Sequence, residues 1–208
     1  MGICQGLEVV SLILGEDNPS TLDEIFMYGN MEPVTWNQTS LDNSTLFGTF
    51  PPALIDHMSV DNLTLHAHSY SIDVATYNKT PGMRKEMNIL HTVDYEKDGQ
   101  PRKFIGAMEG KTIPVYLIMY HPEYQMLDFK GPKRWQLGKD NGVGHLTEEI
   151  AFRLSLLLNR QARLNRREDQ FASHQERLSF LKRHRVSAIP SRRYDMLNGL
   201  EVFAYGYY

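Results

Sequence analysis

The apolar run IPVYLIMY, at residues 113–120, constrains the fold more than any other stretch of this sequence. A continuous apolar run of this length is typical of a strand that is buried on both faces, as in a sheet covered by helices. The chain has 208 residues and is long enough to bury such a sheet. The run therefore predicts an α/β fold with helices flanking a mainly parallel central sheet, and we expect residues 1–208 to form one domain.

The remaining patterns supply the helices of this architecture. QGLEVVSLIL has apolar side chains on most sides, which predicts a helix buried on most sides, and PALIDHM follows a proline that suits a helix start. The longest helix is predicted at HLTEEIAFRLSLLLNRQARLNRR, with Thr147 as its N-cap. Its expected inner stripe consists of Ile150, Leu154, Leu157, Leu158 and Ala162.

Strands are predicted from alternating patterns rich in β-branched and aromatic residues. They are LTLHAHSYSIDV, NILHTVDY, RKFIGAME and, at the C-terminus, LEVFAYGYY. The dipeptide Asp98-Gly99 between the second and third of these is typical of a hairpin turn.

The charges are unevenly distributed along the chain. Residues 151–208 hold half of the 22 lysines and arginines but only a fifth of the 25 acidic residues. We expect a solvated helix face here and no nucleic-acid binding, because no aromatic residues are interleaved as stacking platforms. No apolar run has the length of a membrane span, and the first residues lack the pattern of a signal peptide. The basic residues concerned are Arg160, Arg163, Arg166, Arg167, Lys182, Arg183 and Arg185.

The only cysteine, Cys4, lies in the pentapeptide GICQG. Its G-x-C-x-G spacing is that of a nucleophile elbow, where a strained nucleophile sits between a strand and a helix, with small residues on either side. The positive N-terminal end of the following helix favours a thiolate. Cys4 is therefore a candidate nucleophile, and the alternative is a small buried side chain with incidental glycines.

His121 and Glu123 directly follow the apolar run, in the sequence YHPE. Catalytic groups of open α/β sheets collect at the carboxyl ends of strands. A histidine can take the proton of a cysteine, and a carboxylate two residues further on can orient the imidazole. Cys4, His121 and Glu123 are thus a candidate triad, and its chemistry requires no metal and no organic cofactor.

The elbow and the His-Pro-Glu motif together resemble the class I glutamine amidotransferase-like superfamily. Four stretches, GICQGLEVVSLILG, NLTLHAHSYSI, AMEGKTIPVYLIMYHPE and EVFAYGYY, resemble the gamma-glutamyl hydrolase family from residue 2 to the C-terminus. This resemblance implies a partial domain over residues 1–208 that lacks the first βα units, since family members carry a signal peptide and these units before the elbow.

The resemblance also implies roles for individual residues. Cys4 would be the nucleophile, His121 the general base and then acid, and Glu123 the residue that orients the imidazole. The backbone amide of Gln5 would donate to the oxyanion. His68 would lie near the substrate, the alternative being a strand histidine with a hydrogen-bonded ring. The implied reaction is hydrolysis of folate polyglutamates or other gamma-glutamyl peptides through a gamma-glutamyl thioester.

Two other functions remain open at this point. One is a glutaminase domain of an amidotransferase, acting on free glutamine with the same three residues. The other is a catalytically inactive relative that serves as a binding or structural protein. The resemblance also implies that a loop supplying part of the oxyanion hole is absent, so we expect little or no hydrolysis by this chain. A parallel sheet without its first strands exposes an apolar edge, so we expect a homodimer or a covering protein partner.

Four N-x-Thr sequons fall close together and are glycosylation candidates. They begin at Asn37, Asn43, Asn62 and Asn78. With the resemblance, they imply a lysosomal, vacuolar or extracellular location.

Overall fold

The computed structural model of the chain describes residues 1–126, 144–164, 187–190 and 203–206. The helices are α1 (Gln5–Leu14), α2 (Gln38–Leu41), α3 (Pro52–Val60), α4 (Val74–Lys79), α5 (Pro81–Glu86), α6 (Glu123–Met126) and α7 (Gly144–Leu164), with a 3₁₀ turn at Pro19–Thr21. The strands are β1 (Gly2–Ile3), β2 (Asp23–Glu32), β3 (Thr35–Trp36), β4 (Thr64–Ser71), β5 (Met87–Lys97), β6 (Gln100–Gly110), β7 (Tyr116–Ile118), β8 (Ser187–Pro190) and β9 (Phe203–Gly206).

The main sheet has the strand order β1-β7-β6-β5-β3. Only β1 and β7 run parallel, and the other three pairs are antiparallel. The α/β class with flanking helices is confirmed, but the expectation of a mainly parallel sheet is wrong. The strands predicted from LTLHAHSYSIDV, NILHTVDY, RKFIGAME and IPVYLIMY are present as β4, β5, β6 and β7.

Short connections explain why the sheet is mixed. β5 and β6 are joined by the predicted turn, where Asp98 has φ 54° and Gly99 has φ 70°. Two successive positive φ values are the geometry of a tight hairpin turn, which can join only antiparallel strands. The link from β6 to β7 covers residues 111–115 and is also too short for a parallel crossover.

A second, two-stranded sheet is formed by β2 and β4. Along β2 the side chains alternate, with Ile25 and Met27 buried while Phe26 and Tyr28 are exposed. This period of two places one face of the ribbon on the core. The rings of His66 and His68, on β4, each contact Phe104 of β6, so histidines form part of the contact between the ribbon and the main sheet.

Asp73, just after β4, links this ribbon to the hairpin of β5 and β6 through hydrogen bonds and an ion pair. Its carboxylate accepts hydrogen bonds from the Tyr95 hydroxyl and the Ala75 N–H, both at 2.7 Å, and pairs with Arg102 at 2.8 Å. Burial alone would raise the pKa of Asp73, but these donors hold it below its usual range. The carboxylate therefore remains charged and bound to all three groups at neutral pH.

The α1 helix is less buried than its composition suggests. Leu7 and Ser11 are buried, whereas Val9 and Ile13 are exposed. The expectation of burial on most sides is therefore wrong. In the described part of the chain β1 pairs only with β7, and beside it lies an open cleft of about 620 Å³. The cleft is lined largely by apolar residues, and the expected dimer or covering partner stays a prediction.

The long α7 helix is present where it was predicted, but its details differ. It begins at Gly144, and the Thr147 hydroxyl donates to the Gly144 carbonyl from inside the first turn, so Thr147 is not the N-cap. Ile150, Leu154 and Leu157 are buried as expected, whereas Leu158 and Ala162 are exposed. No helix in the described ranges is both long and apolar enough to span a membrane.

The expected solvated basic face is present in the part of it that the structure describes. Arg160 and Arg163 are exposed on α7. The remaining basic residues named above, Arg166, Arg167, Lys182, Arg183 and Arg185, lie outside the described residues.

Candidate active site

The parallel pair of β1 and β7 brings two distant parts of the chain to one edge of the sheet. Ile3 pairs with Ile118, and the Cys4 N–H continues the ladder by donating to the Ile118 carbonyl at 2.8 Å. The carboxyl ends of adjacent parallel strands lie side by side, so the residues that follow β1 and β7 are neighbours. Cys4 and His121 are therefore placed at the same edge, although 116 positions separate them along the chain.

Cys4 has the backbone geometry of an elbow. Its φ and ψ are 48° and −103°, a strained conformation for a residue with a side chain. The α1 helix begins at the next residue, and the Cys4 carbonyl accepts the first helical hydrogen bonds from the Leu7 and Glu8 N–H groups. The thiol is thus held at the N-terminal end of a ten-residue helix, where negative charge is favoured.

The two glycines of the motif are not equivalent. A Cβ added at Gly2 would lie 2.9 Å from the carbonyl carbon of Gly6 and 2.9 Å from the side chain of Leu117. A Cβ added at Gly6 would meet no atom within 4 Å. The close approach of strand and helix therefore requires glycine at position 2, and the expected steric need at position 6 is not found.

His121 is fixed by its backbone and by Glu123. Its N–H donates to the Leu65 carbonyl on β4 at 2.8 Å, and its Nδ1 lies 2.7 Å from Glu123 Oε1. A carboxylate only accepts, so Nδ1 carries the proton of this bond. Nε2 is buried and has no regular hydrogen bond within the described residues. Cys4 is close enough to the ring to raise the pKa of His121.

The charges at this edge favour an imidazolium on His121. Burial opposes that charge, but interactions with Cys4 and Glu123 outweigh it and raise the pKa of His121 to about 9. Because the pKa of His121 is higher in the folded chain than its usual value, the charged ring stabilises the folded state. This contribution to the free energy of unfolding is complete below pH 6.5 and is lost as the pH rises through 9. At neutral pH, His121 is therefore a charged donor next to Cys4.

The Gln5 amide meets the requirement for an oxyanion donor. Gln5 is the first residue of α1, and first-turn N–H groups have no acceptor within their own helix. The amide directly follows the candidate nucleophile. Its use as an oxyanion donor stays a prediction.

His68 lies deeper than the three residues above. Its Nδ1 is 3.1 Å from the Ile25 carbonyl, and its Nε2 is 3.3 Å from Nδ1 of His66. Both ring nitrogens are therefore engaged inside the protein. The predicted role of His68 near the substrate would require one of these bonds to open, and this role stays a prediction.

Thr64, His66 and His68 form a short chain of polar contacts that has fewer donor hydrogens than contacts. The Thr64 hydroxyl lies 2.7 Å from the Glu32 carbonyl and 3.0 Å from Nε2 of His66. This chain of contacts thus has four contacts and a carbonyl at each end, whereas neutral Thr64, His66 and His68 supply three hydrogens. One contact lacks its hydrogen whichever tautomers are chosen, unless the pair binds a proton.

Burial opposes that additional proton. It lowers the pKa of His68 to about 4 and that of His66 well below its usual value, and the charge on His121 acts in the same direction.

The described residues contain no group of three or more His, Cys, Asp or Glu side chains arranged to hold a metal ion.

Two further polar residues lie buried behind this site. His91 and Tyr120 stack with their ring centroids 5.8 Å apart, and neither His91 nitrogen nor the Tyr120 hydroxyl has a hydrogen-bond partner in the described part of the protein. Burial lowers the pKa of His91 to about 3 and raises that of Tyr120. The ring of His91 is therefore neutral over the physiological range.

Sequence reasoning missed two neighbours of the candidate triad. Tyr124 stacks on the His121 ring, and its position three residues after His121 at the start of α6 was a usable signal. His66 belongs to none of the motifs described above. Its alternation with His68 on β4 already placed both rings on one strand face.

Comparisons with known proteins identify gamma-glutamyl hydrolases as relatives of this sequence. A rat (Rattus norvegicus) gamma-glutamyl hydrolase is 32% identical over 149 residues, which is 72% of this chain and 42% of that protein. The chain is similar to gamma-glutamyl hydrolases. The human (Homo sapiens) gamma-glutamyl hydrolase is 30% identical over 112 residues, covering 53% of this chain and 31% of the human protein.

A third gamma-glutamyl hydrolase, from mouse (Mus musculus), is 32% identical over 100 residues, covering 47% of this chain and 28% of the mouse protein. No family model matches the sequence. In each of these comparisons, the aligned part is less than half of the curated relative.

Proposed function

We propose that this chain carries the catalytic centre of a gamma-glutamyl hydrolase, with Cys4, His121 and Glu123 as its triad. The observation that carries the proposal is the bond from His121 Nδ1 to Glu123, which leaves Nε2 available on a ring that interacts with Cys4 at a strained helix start. The similarity to named gamma-glutamyl hydrolases supplies the bond to be cleaved. Folate polyglutamates are the proposed substrates, with other gamma-glutamyl peptides as a wider class.

In the first half of the reaction, the Cys4 thiolate attacks the gamma-amide carbonyl. A sulfur–carbon bond forms, and the carbonyl oxygen becomes an oxyanion that the Gln5 N–H stabilises. The imidazolium of His121 then gives its Nε2 proton to the amide nitrogen as the carbon–nitrogen bond breaks. The leaving amine departs and a gamma-glutamyl thioester remains on Cys4.

In the second half, neutral His121 takes a proton from water, and the resulting hydroxide attacks the thioester carbonyl. The carbon–sulfur bond breaks, the gamma-glutamyl acid is released, and the thiolate faces an imidazolium again. Glu123 accepts the hydrogen bond from Nδ1–H throughout the cycle, so Nε2 remains the nitrogen that exchanges protons. We propose that His68 borders the substrate from β4, behind Ala67, whose carbonyl is 4.0 Å from the Cys4 sulfur.

A direct test offers the purified chain a gamma-linked glutamyl peptide, its alpha-linked isomer and free glutamine, and measures glutamate release from each. We expect the absolute rate to be low, in keeping with the expectation from the sequence. Release from the gamma-linked peptide should still be at least about a hundredfold faster than release from the alpha-linked isomer, because the isomer's carbonyl carbon is not placed for attack by Cys4. Preferential hydrolysis of glutamine would instead favour the glutaminase alternative. Absence of all three activities would contradict the proposal.

Site-directed alkylation provides the matched control for this assay. The chain has one cysteine, so iodoacetamide can modify only one thiol. We expect activity to disappear in step with incorporation of one alkyl group, and a gamma-glutamyl substrate to slow the modification. Full activity in fully alkylated protein would exclude Cys4 as the nucleophile.

We also propose that the protein passes through the secretory pathway to a lysosome, a vacuole or the cell exterior. The support is the similarity to gamma-glutamyl hydrolases together with exposure of all four sequon asparagines, Asn37, Asn43, Asn62 and Asn78. A protein purified from eukaryotic cells is expected to lose mass on treatment with an N-glycosidase. An unchanged mass would contradict this location.

A further inference from the structure

Tyr124 lies flat against the imidazole of His121. The two ring centroids are 4.6 Å apart and the ring planes differ by only 6°. The arrangement follows from local structure, because Tyr124 is three residues after His121 and its N–H approaches the His121 carbonyl at 3.4 Å, at the start of α6. The ring pair is therefore produced by the turn that carries the His-Pro-Glu motif.

The Tyr124 ring is itself held in place by the ribbon of β2 and β4. Like Ala67, it packs against Met31 and Leu65, which form a small apolar cluster apart from the main core. Leu65 also accepts the backbone hydrogen bond from His121. The same part of β4 thus positions both the histidine and the ring that covers it.

The phenol remains neutral, so it can act on His121 only through its ring and its hydroxyl dipole. Burial, followed by the charges of Glu123, Cys4 and Tyr28, raises the pKa of Tyr124. The face of a neutral aromatic ring carries partial negative charge and attracts a cation placed over it. The cation here would be the imidazolium of His121.

We propose that Tyr124 is a positioning residue for His121: its ring fixes the plane of the imidazole toward Cys4 and stabilises the imidazolium from one face. Glu123 acts on the edge of the same ring through Nδ1, so the two residues restrain different directions of movement. The inference rests on the proposed function only for the catalytic use of His121, since the stacking itself does not depend on a reaction.

The test compares Tyr124→Leu, which removes the aromatic face, with Tyr124→Phe, which keeps it. The His121 titration is followed by NMR in the full chain, with the resonance assigned from the spectrum of His121→Gln. We expect Tyr124→Leu to lower the His121 midpoint by roughly 0.4–1.5 pH units and Tyr124→Phe to leave it within about 0.2 units. Tyr70→Leu, at an exposed tyrosine of β4, is the control and is expected to leave the midpoint unchanged.

The kinetic readout separates this inference from the proposed function. In Tyr124→Leu we expect kcat to fall roughly tenfold with KM within about twofold, and Tyr124→Phe to retain the wild-type kcat. An unchanged His121 midpoint in Tyr124→Leu would overturn the inference, as would an equal shift in Tyr124→Phe. A shifted midpoint in a protein without hydrolase activity would support the stacking role while contradicting the proposed function. If Tyr124→Leu does not fold, Tyr124→Met retains the apolar packing and serves the same comparison.

Discussion

Cys4→Ala is expected to lower kcat/KM for a gamma-glutamyl peptide by roughly 10³–10⁶-fold, because no other group of the site can form the thioester. Alanine retains a Cβ, so the strained backbone at φ 48° is not relieved and the elbow geometry is preserved. The unfolding transition of the variant should therefore remain close to that of the wild type. The measurement is steady-state glutamate release at several substrate concentrations.

A double variant makes this expectation specific to a triad. Residues that act as one unit have non-additive effects, so Cys4→Ala combined with His121→Gln should be no slower than the worse of the two single variants. His57→Gln, at an exposed histidine paired with Asp61, is the control and should retain full activity. Retained hydrolysis in Cys4→Ala, or single-variant losses that multiply in the double variant, would contradict the assignment.

The proximity of Cys4 to His121 could be predicted because it depends on only two strands. An elbow requires a strand before the cysteine, and His-Pro-Glu requires one before the histidine, so parallel pairing of β1 with β7 is sufficient to bring them together. Glu123 follows from the local extended geometry, since residues two apart lie on one side of the chain.

The order of the remaining strands depended on connections that apolar patterns do not show. The Asp98-Gly99 turn was recognised, and it already required β5 and β6 to be antiparallel, yet the apolar character of β7 suggested a parallel sheet. A run buried on both faces indicates only that both faces are covered, and a mixed sheet satisfies this equally well. The spacing of Tyr124 from His121 is a local signal for their stacking, but the packing of Tyr124 against Met31 and Leu65 depends on the ribbon of β2 and β4.

Buried neutral histidines give the second large effect expected for this protein, a loss of stability in acid. The folded pKa of His91 is about 3, below the usual value of 6.5, so its contribution to stability is present above pH 6.5 and is lost as the pH falls toward 3. At pH 5 the unfolded chain binds a proton at this residue and the folded chain does not. The resulting penalty is about 2 kcal/mol at pH 5 and close to zero at pH 8.

His121 acts in the opposite direction, so the total pH profile does not isolate the effect of His91. The raised pKa of His121 stabilises the folded chain most at low pH, while the lowered pKa values of His66 and His68 add to the loss from His91. A single variant compared with the wild type at two pH values removes these common contributions.

His91→Leu is therefore expected to reduce the stability lost between pH 8 and pH 5 by about 2 kcal/mol, as measured by urea unfolding at both pH values. Leucine suits the apolar and aromatic site formed by Trp36, Phe47 and Tyr120, and it removes two ring nitrogens that have no partner in the described residues. At pH 8 the variant should be as stable as the wild type or more stable, because an unsatisfied buried polar group is replaced by an apolar one. Asn159→Leu, at an exposed residue of α7 that does not titrate, is the control and should lose as much stability in acid as the wild type does. An equal acid loss in His91→Leu and the wild type would mean that His91 is protonated in the folded chain, and hence that its buried ring has a partner for its charge.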